Sequence, residues 1–301
     1  MKLHILGCYA ATPRTLSNPT AQILEIRNHL FLIDCGEGTQ VELRRNKVKF
    51  SRINHIFISH LHGDHFFGLP GLISTFRLLG REKELHIYGP KGIKEAITLL
   101  FKLADSWTSY PLIFHELDSK EPLLLFQDAG VEVSTIPLAH RIYTNGFRFT
   151  SFYSERKLNI DAVREFGIGK EYFQKIKNGG SVTLEDGRVI PNQELTLDPP
   201  EPKHYAYCSD TAYYPDIIPL IRGVDVLYHE ATFLESEAGL AKKTKHSTAG
   251  EAATIARDAE VGQLILGHFS TRYRNPDSFL EEAQRIFPNT LLAADGKLFE
   301  F

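Results

Sequence analysis

Cysteine is scarce. The 301-residue chain has three, Cys8, Cys35 and Cys208, far apart and with no CxxC pair. This spacing excludes a disulfide framework and makes a reducing cytoplasm the expected setting. Long apolar runs are missing as well: none approaches the 18 residues of a membrane helix, so no membrane partner is expected. The opening residues, Met1 to Gly7, are too soon interrupted to read as a secretory leader. An excess of positive charge is also absent. Against 34 Lys and Arg stand 37 Asp and Glu, a net charge of −3, which excludes attraction of the whole molecule to nucleic acid and leaves DNA off the list of expected partners. Low-complexity tracts and short repeats are lacking, and 43% hydrophobic residues exclude a disordered chain.

Histidine, by contrast, is plentiful, with 13 residues. Neutral imidazole is the commonest metal ligand, so what matters is whether these residues are scattered or convergent. Apolar runs at 3–7, 21–27, 29–34, 53–59, 85–88, 112–115, 131–137 and 147–152 read as strands. Stretches 69–79, entered through a Pro-Gly turn, and 93–102 read as helices. Residues 154–190 break the pattern: they are charged, mostly helix-periodic, and end in a hairpin turning at Glu185-Asp186-Gly187. Strands resume at 205–208, 224–228, 263–267 and 291–293, with helices at 248–259 and 278–287. The expectation is a layered α/β domain over 1–301, made of two similar halves, with 154–190 as an inserted arm.

Several apolar strands end in a residue able to bind metal or move a proton: Asp34, His60, His140, Asp210, His229-Glu230 and His268. Active sites of α/β sheets collect at the carboxyl ends of strands, so these six ends define one shared rim. The densest is His60-Leu61-His62-Gly63-Asp64-His65. A tight loop bending at Gly63 would turn His60 and His62 one way and Asp64 and His65 another, which suggests two adjacent metal ions. Nitrogen and carboxylate donors without cysteine suit a catalytic Zn²⁺ or Mn²⁺ pair.

This loop resembles the HxHxDH signature of the metallo-β-lactamase fold, and the resemblance implies a duplicated αββα sandwich. It assigns His60, His62 and His140 to one metal ion and Asp64, His65 and His268 to the other. Asp210 matches the bridging carboxylate, and Asp34 a residue that supports the site by hydrogen bonding. Five further stretches resemble ribonuclease Z, the endonuclease that removes 3′ trailers from precursor tRNA: 34–40 (DCGEGTQ), 66–72 (FFGLPGL), 229–233 (HEATF), 246–249 (HSTA) and 267–273 (GHFSTRY). Ala294-Asp295 fits that family's short AxD motif. The implied cofactor is two divalent ions, Zn²⁺ with Mn²⁺ as the alternative, and the implied partners are precursor tRNA and a second copy of the chain. Asp64 is then both ligand and general base. His246 is the proton donor, oriented by Glu230, and His229 supports the loop or a ligand from behind. The competing expectation is a hydrolase of the same fold acting on small phosphodiesters or esters.

Two segments depart from the family pattern. Where a PxKxRN substrate loop is usual, residues 13–18 read PRTLSN, keeping Pro13 and Asn18, with Arg14 as a partial substitute. In the arm, Lys157-Leu158-Asn159 and Ile168-Gly169-Lys170-Glu171 replace the usual Pro-Gly and Gly-Pro turns, while 176–188, with Lys177, still looks familial. Phosphate contacts require local basic surface; the candidates are 44–52, Lys242, Lys243 and Lys245, and Arg272 with Arg274. His4, His29, His55, His86, His115 and His204 carry no motif, and Tyr213-Tyr214 reads as packing rather than base stacking.

Overall fold

The computed structural model describes residues 1–12, 15, 17–152 and 156–301. In chain order its strands are β1 (Lys2–Gly7), β2 (Ala21–Ile26), β3 (His29–Ile33), β4 (Ile53–Phe57), β5 (Leu85–Pro90), β6 (Leu112–Leu117), β7 (Leu124–Gln127), β8 (Val131–Pro137), β9 (Asn145–Ser151), β10 (Lys157–Leu158), β11 (Val182–Thr183), β12 (Val189–Ile190), β13 (Thr196–Leu197), β14 (Lys203–Cys208), β15 (Val226–Glu230), β16 (Gln263–Gly267), β17 (Thr290–Leu292) and β18 (Leu298–Glu300). Two seven-stranded sheets form, ordered β18-β1-β2-β3-β4-β5-β6 and β17-β16-β15-β14-β9-β8-β7. Across the first, three antiparallel pairings give way to three parallel ones. The second repeats this order from its β7 edge. The halves therefore match strand for strand, with β14 in the place of β3 and β15 in the place of β4.

The strands read as unbroken apolar runs because both of their faces are covered. In β3, Phe31 and Ile33 face the core between the sheets, packed with Phe57, Phe147 and Phe149. Leu30 and Leu32 face the other way, against Leu72, Ile73 and Phe76 of the helix Leu69–Leu78 and Ile93 and Ile97 of the helix Ile93–Leu103. Each such side chain, taken fully out of water, contributes roughly 1.5–3 kcal/mol. On the far side of the second sheet the helix Ala249–Asp258 presents Ala249, Ala252, Ala253 and Ala256, small enough for close approach. The Pro-Gly pair at 70–71 lies inside the first turn of its helix rather than before it, where proline's missing N–H costs nothing. Strands β7 and β18 have no counterpart in the sequence reading. Both are short edge strands without clear alternation, and β18 closes the chain against β1, Lys2 opposite Glu300.

The arm replaces a hairpin turn. Between β2 and β3 the chain reverses through Arg27-Asn28; at the matching place between β9 and β14 it leaves the sheet. It has its own small core of Val163, Ile168, Ile176, Val182, Ile190 and Leu195. The hairpin β11–β12 turns at Gly187, whose φ of +85° suits glycine. Its base is closed by β10 pairing with β13, Lys157 opposite Leu197, so the ordered unit extends beyond residue 190. Among the described residues no helix is long and apolar enough to cross a membrane.

Four of the histidines without a motif lie on adjoining strands β3 to β6. His55 stacks on His86 with ring centroids 5.0 Å apart, and His86 Nδ1 lies 3.0 Å from His115 Nε2. His29 pairs with Asp128. Burial, helped by repulsion from neighbouring imidazoles, pushes His55 down to about 4. The folded state therefore favours the neutral ring. Stability is full above the unfolded value near 6.5 and declines as the pH falls from there toward 4. We expect His55→Phe to flatten the acid limb of a Tm–pH curve by about 1 kcal/mol at pH 5, allowing for the ring's partial exposure; equal acid slopes in the two proteins would contradict it.

Candidate metal centre

The rim expected from the strand ends forms as a single cluster. After β4 the chain passes through Ser59 and His60 to His62, which precedes the short helix Gly63–Phe66. Gly63 does not mark a left-handed bend; a Cβ there would sit 2.4 Å from the Phe67 ring, which is exposed and would have to turn aside. The loop after β3 presses on this helix, with the Cys35 N–H donating to the His65 carbonyl and the Gly68 N–H to the Cys35 carbonyl. Asp34 and His268 both adopt left-handed φ, +55° and +60°, a cost of roughly 1–2 kcal/mol each that the surrounding hydrogen bonds must offset.

Two groups of donor atoms result. In the first, His60 Nε2 is 3.0 Å from His62 Nδ1, which is 3.4 Å from His140 Nε2. Asp210 Oδ2 stands 3.5 Å from His60 Nε2 and 3.8 Å from His140 Nε2. In the second, His65 Nε2 and His268 Nε2 are 3.2 Å apart. Asp64 Oδ2 lies 3.6 and 3.4 Å from them, and Asp210 Oδ1 3.3 and 3.1 Å. The two oxygens of one carboxylate thus face different groups.

The opposite ring nitrogen of each of four histidines is engaged elsewhere. His65 Nδ1 donates to Asp34 Oδ2 at 2.8 Å, His140 Nδ1 to the Lys245 carbonyl at 2.7 Å, and His268 Nδ1 to Thr232 Oγ1 at 2.8 Å. His60 Nδ1 meets Ser59 Oγ at 3.0 Å, and Ser59 in turn donates to Asp34. These bonds fix the tautomers and point lone pairs inward. Lone pairs then face one another at contact distance, and Asp210 Oδ1 is buried without a hydrogen-bond partner. Spacings of this order, ~3.3 Å between donors, are those around a tetrahedral ion with ~2.0–2.1 Å bonds. The donor set therefore fits divalent cations.

Electrostatics agree. Burial favours neutral groups, yet the carboxylates of Asp210, Asp64 and Asp34 hold His65 well above the usual histidine range. Against the same burial, His268, His65 and His60 hold Asp210 well below the usual carboxylate range. Burial and the neighbouring His60 imidazole lower His62 to about 4, and burial lowers His140 to about 4. These carboxylates demand positive charge, which a bound cation would supply.

Beside the donors lies a second network. Glu230, fully buried, accepts from the backbone N–H groups of Thr211, Ser247 and Thr232 and from Thr232 Oγ1. Its Oε1 is 2.9 Å from His246 Nδ1. Burial would lower the His246 pKa, but the Glu230 carboxylate outweighs it and raises it to about 9. His246 also falls within reach of Asp210 and His268 as a third potential ligand group. The motif containing His246 doubles as a helix start, because Thr248 and Glu251 form a capping box.

Two family models match parts of the chain: one described as "Anti-Pycsar protein Apyc1" over residues 1–118, and one described as "Beta-lactamase superfamily domain" over 181–269. A curated ribonuclease Z from Bacteroides thetaiotaomicron is 49% identical over 98% of this chain and 93% of its own. One from Porphyromonas gingivalis is 46% identical over 97% and 96%. The chain belongs to the ribonuclease Z family. Among solved structures, the short form of human tRNase Z covers 100% of this chain and 99% of its own, with a TM-score of 0.73 and 28% identity. The metallo-β-lactamase fold protein YhfI from Bacillus subtilis, 19% identical with a TM-score of 0.70 over 99% of this chain and 98% of its own, shares the fold. The chain thus has the metallo-β-lactamase fold.

The other expected residues lie outside the donor cluster. Asn18 is turned inward: its N–H and Nδ2 both donate to Asp295 Oδ2, at 2.7 and 3.0 Å, and Asp295 also takes the Cys8 N–H. This tether holds the loop whose Ala11 N–H donates to Asp64 Oδ2 at 2.7 Å. Arg14 lies outside the described residues. His229 is buried, its Nδ1 bonded to the Glu230 carbonyl. Arg272 is exposed four residues beyond His268, and Lys177 is exposed at the end of an arm helix. The 44–52 cluster leads into the start of β4, about 17 Å of strand from the His60 loop; there Arg52 pairs with Glu25 and Arg45 with Glu42. Two residues beside the donors escaped the sequence reading. Arg141, next to His140, is exposed and close enough to lower His62's proton affinity. Thr232 joins His268, His246 and Glu230 through one hydroxyl; only its place inside the 229–233 motif hinted at this. Thr232→Val keeps the shape and removes that hydroxyl, so we expect a 10–100-fold loss of affinity for a divalent cation, read by competition with a chelator.

Proposed function

We propose that the protein is a metal-dependent endoribonuclease that removes the 3′ trailer from precursor tRNA, with two divalent ions per chain, Zn²⁺ or alternatively Mn²⁺. His60, His62 and His140 would hold one ion, Asp64, His65 and His268 the other, and Asp210 would bridge them. Bound there, the ions supply Lewis-acid polarisation of a phosphodiester and ease deprotonation of water. What carries the reading is the Asp210 carboxylate set between two groups of imidazole nitrogens. The full-length match to ribonuclease Z relatives supplies the substrate class.

The chain's own residues do the rest. Asp64, braced by the Ala11 N–H, orients the attacking water and receives its proton. His246 donates Nδ1–H to Glu230, which leaves Nε2 for the substrate. With its pKa near 9 the ring is protonated at neutral pH and gives its proton to the departing 3′ oxygen. The products are a tRNA ending in a 3′-hydroxyl and a trailer beginning with a 5′-phosphate. Exposed Lys242, Lys243, Lys245, Arg141 and Arg272 position phosphates around the cut. Buried free thiols at Cys8, Cys35 and Cys208 accord with work in a reducing cytoplasm.

End-mapped cleavage of a trailer-bearing precursor tests the reading. Asp64→Ala should abolish cleavage, and His246→Ala should lower kcat by about 10²–10⁴. Glu230→Gln removes the charge that raises His246, so the alkaline limb of the rate profile should move to lower pH. Wild-type indifference to precursor tRNA alongside efficient turnover of small phosphodiesters would overturn the substrate assignment.

A second copy of the chain is the proposed partner. The helices Leu69–Leu78 and Ile93–Leu103 end side by side, Arg77 Nη1 lying 3.5 Å from Ser106 Oγ. Around these ends Leu78, Leu79, Leu99, Leu100, Leu103 and Trp107 are exposed, an apolar area characteristic of a self-association face. Sedimentation should show a dimer that Leu103→Asp converts to a monomer; an unaltered dimer would place the interface elsewhere.

A further inference from the structure

Next to the metal centre lies a cleft of about 420 Å³ that the roles above leave unused. One wall is the loop from β8 to β9, with Leu138, Ile142 and Tyr143. The loop before β7 lines it too, with Ser119 and Lys120, as do Tyr214 and Asn145 at the start of β9. His140, a proposed ligand, is part of the lining although its ring is fully buried, so the cleft adjoins the segment that carries that donor.

The walls are fastened to the site. The Ala212 N–H donates to the Ala139 carbonyl and the Ala139 N–H to Thr211 Oγ1, which ties the β8–β9 loop to the segment carrying Asp210. The Asn145 N–H donates to the Ser59 carbonyl, one residue before His60. Tyr143 Oη donates to the Ser119 carbonyl at 2.9 Å and accepts from Asn145 Nδ2 at 2.9 Å. With Nδ2 engaged, Asn145 Oδ1 is left buried and without a partner. A preformed cleft with apolar and aromatic walls and an unpaired amide oxygen is built for a planar ligand that carries N–H groups.

We propose that this cleft is a subsite for one nucleobase, that of the nucleotide adjoining the scissile phosphate. The inference rests on the RNA-cleaving function above and adds to it where a base is held. The base stacks on the Tyr214 ring between Leu138 and Ile142, and an N–H of its edge meets Asn145 Oδ1. Unpaired nucleotides present their faces and edges to proteins in this way. Lys120, exposed at the mouth, meets the next phosphate. The volume admits one base and excludes the duplex body, so the subsite aligns the strand without gripping the tRNA.

The test is a cycle between enzyme and substrate. Precursor tRNAs carrying an abasic nucleotide at either position flanking the cut are cleaved by the wild type, Tyr214→Ala, Tyr214→Phe and Tyr213→Ala. One abasic position should lower wild-type kcat/KM by about tenfold, the scale of a lost base–aromatic stack. Tyr214→Ala should show the same loss on intact RNA and no further loss on that abasic RNA, and Tyr214→Phe should restore the rate. Tyr213→Ala, which alters a ring outside the cleft, should behave as wild type and certifies the segment's fold. Independent, multiplying losses, or no abasic penalty at either position, overturn the subsite while leaving the RNA reading intact. Failure of the wild type to cut the unmodified precursor overturns both.

Discussion

One carboxylate organises the site. Asp210 is fully buried at the end of β14, and its two oxygens face two sets of imidazole nitrogens. Oδ1 has no hydrogen-bond partner, and the opposite nitrogens of four of those rings are turned to Asp34, Ser59, Thr232 and the Lys245 carbonyl. Burying an unpaired charge is expensive, and a cation between the two groups would offset that cost. Four of the five imidazoles are held from behind in this way, by bonds that do not depend on an ion.

The duplicated architecture explains how so many segments reach one point. Parallel strands β3, β4 and β5 end on the same side of one sheet, and β14, β15 and β16 do so in the other. Asp34 after β3 and Asp210 after β14 occupy equivalent places in the two halves, but their tasks have diverged. Asp34 accepts from Ser59, His65 and Tyr207 and orients a neighbour; Asp210 faces the donors directly. The arm fits the same logic. Inserted at a hairpin of the antiparallel part, with a core of its own, it enlarges the molecule without disturbing the strand ends that carry the chemistry.

Much of this was legible in the sequence, because strands covered on both faces must be apolar along their length and a polar residue at such a strand's end is conspicuous. His60, His140, Asp210, Glu230 and His268 stood out for that reason. What stayed illegible depended on three-dimensional proximity. Asn18 looked like a substrate residue until its amide was found on Asp295, 277 positions away. The basic run at 44–52 is continuous in sequence, yet it sits at the wrong end of β4 and partly neutralises itself through Glu25 and Glu42. Tyr213 and Tyr214 are adjacent, but only the second faces the cleft. Edge strands β7 and β18 carry too little pattern to be read at all.

Charge closes the argument. Without cations, the buried carboxylates of Asp34, Asp64, Asp210 and Glu230 outnumber the imidazoles that their field holds protonated, His65 and His246. Such a centre repels a phosphodiester, and the net charge of −3 offers no compensation from the rest of the chain. A divalent ion bound there would add two positive charges where the composition shows none, and its imidazole ligands would have to be neutral. Such loading would reverse the sign of the field at the rim, and exposed cations such as Arg141, Arg272 and Lys242 would then act in the same direction as the site. On this account a slightly acidic protein handles RNA because its positive charge is concentrated where the strand is cut, and affinity for the substrate and occupancy of the donor set rise together.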